Sequence, residues 1–287
     1  MCVAGKNIKI NCSDGYELTG TLYKSDQTVK SGIVIICGAI GISRKFYKDF
    51  AQFISKNNFS VITFDYRGTG ESKSDWDLKK LKLDDWGIQD INAVIKHAGI
   101  QAPVDKVFLV GHSVGGQLFC LSKNCKQLTG VILVAASFPH WTRWPFPRKL
   151  MMFFFWYFLI PILSIGRTNF PTRLLGLSNE DLPVQFIRRW GEWARDKDYV
   201  VADKFHLDIS RFENLNIPVL SYGFDDDTYA PRKALKRLHY SLKNASIEEK
   251  YIKAKQVYPR GIGHFGYFKK SCSESIWSET ISWMLKM

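Results

Sequence analysis

Between Lys106 and Cys120 the chain reads Lys-Val-Phe-Leu-Val-Gly-His-Ser-Val-Gly-Gly-Gln-Leu-Phe-Cys: an apolar run, a serine flanked by glycines, and a continuation free of helix breakers. Val107 to Val110 suit a parallel strand covered on both faces, and Gln117-Leu118-Phe119 suits the helix that follows it. A serine on so tight a strand-to-helix turn takes a strained backbone, and side chains two residues before or after it would collide. Gly111 and Gly115 remove those side chains. The stretch therefore reads as a nucleophile elbow, with the Ser113 hydroxyl raised at the strand end and the Val114 N–H facing whatever the serine attacks.

The rest of the chain supplies the sheet this turn requires. Asn7 to Cys12 and Tyr16 to Lys24 alternate around Ser13-Asp14-Gly15, which predicts an edge hairpin. Gly32 to Cys37, Ser60 to Asp65, Gly130 to Ala136 and Ile217 to Gly223 are further strands, with a last one around Ile247 to Ile252. Helical spacing covers Arg44 to Asn57 and Leu83 to Ala98, followed later by Arg232 to Leu242 and Ser271 to Lys286. Strands and helices in this rhythm predict an α/β fold with a mostly parallel central sheet and helices on both faces. From Ser137 to about Arg211 the rhythm stops and no strand is expected. Six prolines, several tryptophans and the apolar run Leu150 to Ile160 occupy that stretch instead. The run is too short to span a membrane and ends at Pro161, so it reads as part of an inserted helical cap. The expected division is a core of residues 1–137 and 212–287 with a cap at 138–211.

Composition bounds the partners. Forty Lys and Arg against 27 Asp and Glu give a net charge of +13. That balance favours an anionic contact, and peripheral contact with an anionic membrane surface is kept as an expectation. No basic run is interleaved with aromatics, so nucleic acid is not an expected partner. Met1-Cys-Val-Ala-Gly-Lys has no signal-peptide pattern, which gives a cytoplasmic expectation. Six dispersed cysteines without C-x-x-C spacing indicate reduced thiols, with no metal site and no disulfide framework. No cofactor is expected, because the glycines of Gly38-Ala39-Ile40-Gly41 fit neither a Walker loop nor a dinucleotide fingerprint.

A serine hydroxyl needs a base, and the base needs an acceptor that fixes its tautomer. Among six histidines, His264 stands between flexible glycines beyond the last strand. The loop Phe224-Asp225-Asp226-Asp227 offers the acid after a strand, in the chain order Ser, Asp, His. His112, next to the serine, reads as packing. The loop after Cys37 is where such a site draws its second oxyanion donor, and the Ala39 N–H is the candidate.

With Gly111-His-Ser-Val-Gly115, Phe64-Asp-Tyr-Arg-Gly-Thr-Gly-Glu-Ser72, the acidic loop ending in Pro231, and Gly263-His264-Phe265, the chain resembles a serine α/β-hydrolase over nearly its whole length. More narrowly it resembles predicted lysophospholipase-like and serine aminopeptidase-like hydrolases, through Asp226-Asp227-x-x-Ala230-Pro231, Phe155-Trp156-Tyr157 and Arg260-Gly-Ile-Gly-His-Phe-Gly266. The usual His-Gly of the family is Cys37-Gly38 here, which leaves the donor position at Ala39. Counting back four residues from the proline, as the family does, selects Asp227, which is the expected acid; counting from Gly223 selects Asp226, the alternative. The resemblance implies cleavage of a small-molecule or lipid-like ester or thioester through an acyl-enzyme on Ser113, in the manner of a carboxylesterase or lipase. An acyltransferase with the same triad, and a silent scaffold that binds a lipid or partner, remain as alternatives.

Overall fold

A computed structural model describes residues 3–25, 31–101, 106–270 and 273–287. The hairpin β1 (Gly5–Asn11) and β2 (Glu17–Tyr23) opens the chain, followed by β3 (Gly32–Cys37), α1 (Lys48–Lys56) and β4 (Phe59–Phe64). α2 (Asn92–Gln101) leads to β5 (Val107–His112), the short α3 (Val114–Leu118) and β6 (Gly130–Val134). The chain then leaves the sheet and rejoins it at β9 (Pro218–Phe224). Between them lie α4 (Arg148–Phe154), a π-helical turn at Phe155–Leu159, α5 (Ile160–Leu163), the pair β7 (Asn169–Phe170) and β8 (Leu182–Pro183), α6 (Val184–Ala194) and α7 (Ser210–Asn214). α8 (Arg232–Ser241), β10 (Ser246–Ile252), α9 (Ala254–Val257) and α10 (Ser273–Leu285) complete it.

The eight long strands form one sheet in the order β1-β2-β4-β3-β5-β6-β9-β10. β1 and β2 run antiparallel to each other and β2 runs antiparallel to β4, while every other pair is parallel. The central strands are apolar without interruption because both faces are covered. In β5, Val107 and Leu109 pack on one side with Val94 and Ile95 of α2. Phe108 and Val110 pack on the other with Phe50 and Ile54 of α1 and Trp277 of α10.

The polar turn after β4 is structural. Arg67 is buried and donates from Nε to Asp90 at 2.7 Å and from Nη1 to Asp14 at 2.6 Å. Arg44 donates through its backbone N–H and side chain to Asp65, and a second side-chain nitrogen reaches Glu71. These pairs pin the turn between the hairpin and α2. Burial pushes the Asp90 carboxyl up to about 6 in spite of Arg67 beside it.

Three expectations change in detail. The helix expected from Arg44 begins as a 3-10 turn, Arg44–Tyr47, and the one expected from Leu83 begins as a π-helical turn, Trp86–Ile91. β7 and β8 form a two-residue antiparallel pair inside the stretch expected to hold no strand. The apolar run at 150–160 is covered on one side only: Trp156 and Ile160 are buried, but Leu150, Met151, Phe154 and Phe158 are exposed. An all-round apolar pattern reads as a buried helix, and here one face has no covering element among the described residues.

Cys12, Cys37, Cys120 and Cys125 are buried free thiols; Cys2 and Cys272 lie outside the described residues. No described helix is long and apolar enough to cross a membrane, and no described group of three His, Cys, Asp or Glu could hold a metal ion.

Candidate active site

Ser113 sits between β5 and α3 at φ 50 and ψ −115, a conformation that strains a residue with a Cβ. Its neighbours explain how the strain is tolerated. A Cβ on Gly115 would lie 2.2 Å from the Cys37 carbonyl oxygen of β3, and one on Gly111 would lie 2.5 Å from the Gly116 Cα. The elbow thus packs directly against the adjacent strand. The Ser113 N–H donates to the Val134 carbonyl at 3.0 Å, while its carbonyl accepts from Gly116 and Gln117, which starts α3. Val114 is the first residue of that helix, so its N–H has no carbonyl four residues back to bond.

The three consecutive aspartates after β9 hold three different things. Asp225 accepts from the Ala254 N–H at 2.9 Å. Asp226 accepts from the Ile262 and Gly263 N–H groups at 2.8 and 2.9 Å, which ties down the loop before His264. Asp227 meets the imidazole itself: its Oδ2 stands 2.8 Å from His264 Nδ1, and its Oδ1 accepts from the Tyr229 and Ala230 N–H groups. An ionised carboxylate only accepts, so the Nδ1 of His264 carries the proton and the Nε2 of the neutral ring keeps its lone pair.

His112 is more than packing. It is fully buried, and desolvation pushes its imidazole well below the ordinary histidine value, so it stays neutral. Its Nε2 lies 2.9 Å from the His264 carbonyl oxygen, which can only accept. The Nδ1 of His112 is then unprotonated and accepts from the Tyr47 hydroxyl at 2.9 Å. The same Tyr47 oxygen accepts the Ala39 N–H at 2.8 Å. The N–H expected at the oxyanion is therefore engaged by a buried phenol, and a chain of hydrogen bonds runs from that loop through Tyr47 and His112 to the backbone of His264. Sequence reading missed Tyr47, whose only signal was its place on the helix following the Gly38–Gly41 turn.

Ser113, His264, Ala39 and Ile40 all line one cavity of about 700 Å³. Opposite them the walls come from the insertion between β6 and β9, chiefly Met151, Met152, Phe154, Phe155, Trp156 and Leu159. Arg148 also lines it, whereas Arg143 is turned away and donates to the backbone carbonyls of Phe138 and Lys197. The insertion is fastened to the sheet side at several points. Glu180 accepts from the Gly70 N–H at 2.8 Å, Arg189 pairs with Asp84, and the Tyr199 hydroxyl donates to Gln117 at 2.8 Å.

The model of the family described as Hydrolase_4, serine aminopeptidase S33, matches residues 28–188. The chain belongs to that family. It is an α/β-hydrolase in fold, and the S33 match places Ser113 within the matched residues. Solved structures share the same architecture at low identity. A Pyrococcus furiosus esterase is 16% identical with a TM-score of 0.65, the alignment covering 99% of this chain and 91% of that one. A Paleococcus ferrophilus monoacylglycerol lipase is 16% identical at a TM-score of 0.60, covering 94% and 98%. The esterase domain of a Rhodothermus marinus protein is 12% identical at 0.58, covering 99% and 98%. At these identities the likeness speaks for fold. No curated protein matches the chain.

Proposed function

We propose that this S33-family hydrolase cleaves esters with an apolar acyl group, in the manner of a carboxylesterase or lipase. The observation that carries the reading is a strained serine and an aspartate-held histidine opening onto one apolar cavity. His264 Nε2 takes the Ser113 proton as the hydroxyl oxygen attacks the carbonyl carbon. The oxyanion is held by the Val114 N–H, and by the Ala39 N–H shared with Tyr47; each such donor is worth about 3 kcal/mol of barrier. Collapse expels the alcohol, which leaves with the proton from His264. Water then gives a proton to His264 as its oxygen attacks the acyl carbon, and His264 returns that proton to Ser113 Oγ as the acyl–oxygen bond breaks and the carboxylic acid leaves.

In this reading Asp227 is the acid, and Asp226 is a structural anchor of the histidine loop. Residues 138–211 are the cap that closes the acyl pocket over a core of 1–137 and 212–287, and no cofactor takes part.

The test is labelling by a fluorophosphonate together with hydrolysis of p-nitrophenyl esters of increasing chain length. Labelling is expected at Ser113 alone, and Ser113→Ala and His264→Ala should each lower the rate at least about a thousandfold, since triad members act as a unit. Asp227→Asn should slow the reaction far more than Asp226→Asn. Full activity in Ser113→Ala would overturn the mechanism; the reverse ranking of the aspartates would move the acid by one residue.

A further inference from the structure

The helical run from Arg148 to Leu163 presents an apolar row to solvent. Leu150, Phe154, Phe158 and Ile162 recur every four residues and are exposed at 48%, 60%, 48% and 60%. The Phe154 and Phe158 rings lie against each other along the row, tilted, with centroids 5.5 Å apart. Twelve helical rises from Leu150 to Ile162 make the row roughly 18 Å long, and Ile165, 73% exposed, extends it. Scattered exposed apolar residues are ordinary, but a contiguous aromatic row marks a contact surface.

Two further observations identify what it contacts. The first is continuity with the cavity: Met151, Phe154 and Leu159 line the cavity and are also exposed, so its mouth opens within this surface. The second is charge. Between Asp105 and Glu180 the sequence contains no acidic residue at all. Arg148 and Lys149 stand at one end of the row and exposed Arg167 beyond the other. A second copy of the chain seated here would bring like charges together. An anionic lipid surface would meet the cations at its headgroups and the apolar row at its acyl boundary.

We propose that this face docks the protein onto an anionic lipid surface, so that an amphiphilic ester passes from the lipid into the cavity without crossing water. The passage rests on the acyl-pocket reading above, whereas the docking can be measured without it. Partition of full-length Ser113→Ala protein is measured by flotation with phosphatidylcholine vesicles, with and without phosphatidylglycerol. Binding should be strong only with the anionic lipid and weaken as salt is raised. Phe158→Ser with Ile162→Ser, which do not line the cavity, should lower partition at least about tenfold. In a chain that retains Ser113, the same pair should leave cooperative melting and hydrolysis of p-nitrophenyl butyrate unchanged. Lys149→Glu with Arg167→Glu should abolish the preference for anionic vesicles. No vesicle binding by the parent protein would overturn the proposal, and so would equal binding by the serine variants. A concentration-dependent dimer that Phe158→Ser with Ile162→Ser abolishes would assign the face to a second copy instead. Absence of esterase activity in the unaltered chain would count against the hydrolase reading and leave the partition result standing.

Discussion

The sheet and the insertion solve opposite problems with the same residue types. Around the sheet, even arginines are buried: Arg44 and Arg67 are 2% and 1% exposed, and each is matched by carboxylates. In the insertion, phenylalanines face water beside cations in a stretch of sequence that has no acidic residue before Glu180. In a buried ion pair mutual attraction offsets the desolvation of both charges, but a broken pair leaves one charge with neither partner nor solvent. An exposed aromatic row does nothing for folding, and a contiguous one points to contact outside the molecule. The contrast separates what holds the fold from what the fold is used for.

The sharpest way to break it is Asp90→Ala together with Asp14→Ala, which takes from buried Arg67 both carboxylates it donates to. A loss of about 3–5 kcal/mol is expected, read from chemical denaturation with the slope unchanged. A loss below about 1 kcal/mol, the range of exposed pairs, would mean the turn does not depend on the pair.

Acid offers an intermediate test, with one histidine in each region. Burial holds His112 well below its ordinary value and His140, in the insertion, down to about 4. Both stay neutral when folded, but the unfolded chain takes up protons below about 6.5. Their stability contribution is whole above that value and is lost as pH falls towards each folded value, by up to about 1.4 kcal/mol per pH unit for each. Melting temperatures at pH 7.5 and 5.5 should show the fall, and His140→Gln should flatten it. An unchanged slope in that variant would mean His140 is already solvated.

The smallest effect is expected on the exposed row. Phe158→Ser with Ile162→Ser should change stability by no more than about 0.5 kcal/mol, checked by the same denaturation. A larger loss would show that the row packs within the molecule, and the contrast between the regions would fail at that point.

What was legible in the sequence follows from where the constraint is written. The elbow was legible because its glycines are demanded by contacts as close as 2.2 Å, so the turn leaves a local signature. His264 was legible for a related reason, the loop residues around it, including Gly261 and Gly263 at positive φ. The choice between Asp226 and Asp227 was not, because adjacent carboxylates differ only in which partner the fold brings within reach. Nor was the engagement of Ala39, whose N–H meets a hydroxyl eight residues away on the next turn of structure. Nor was the exposure of the row from Leu150 to Ile162, since periodicity reports where apolar residues fall and not whether another element lies over them.

The four buried thiols turn this molecule into its own reporter. Desolvation raises Cys12, Cys37 and Cys120, so the reactive thiolate is scarce in the closed state as well as shielded. Cys12 lies beside the Arg67 network, Cys37 ends the strand beneath the elbow, and Cys120 follows the elbow helix. Alkylation of each can occur only as fast as its own neighbourhood opens. Site-resolved labelling rates would therefore rank the opening of the hairpin side, the central strand and the elbow without any added probe.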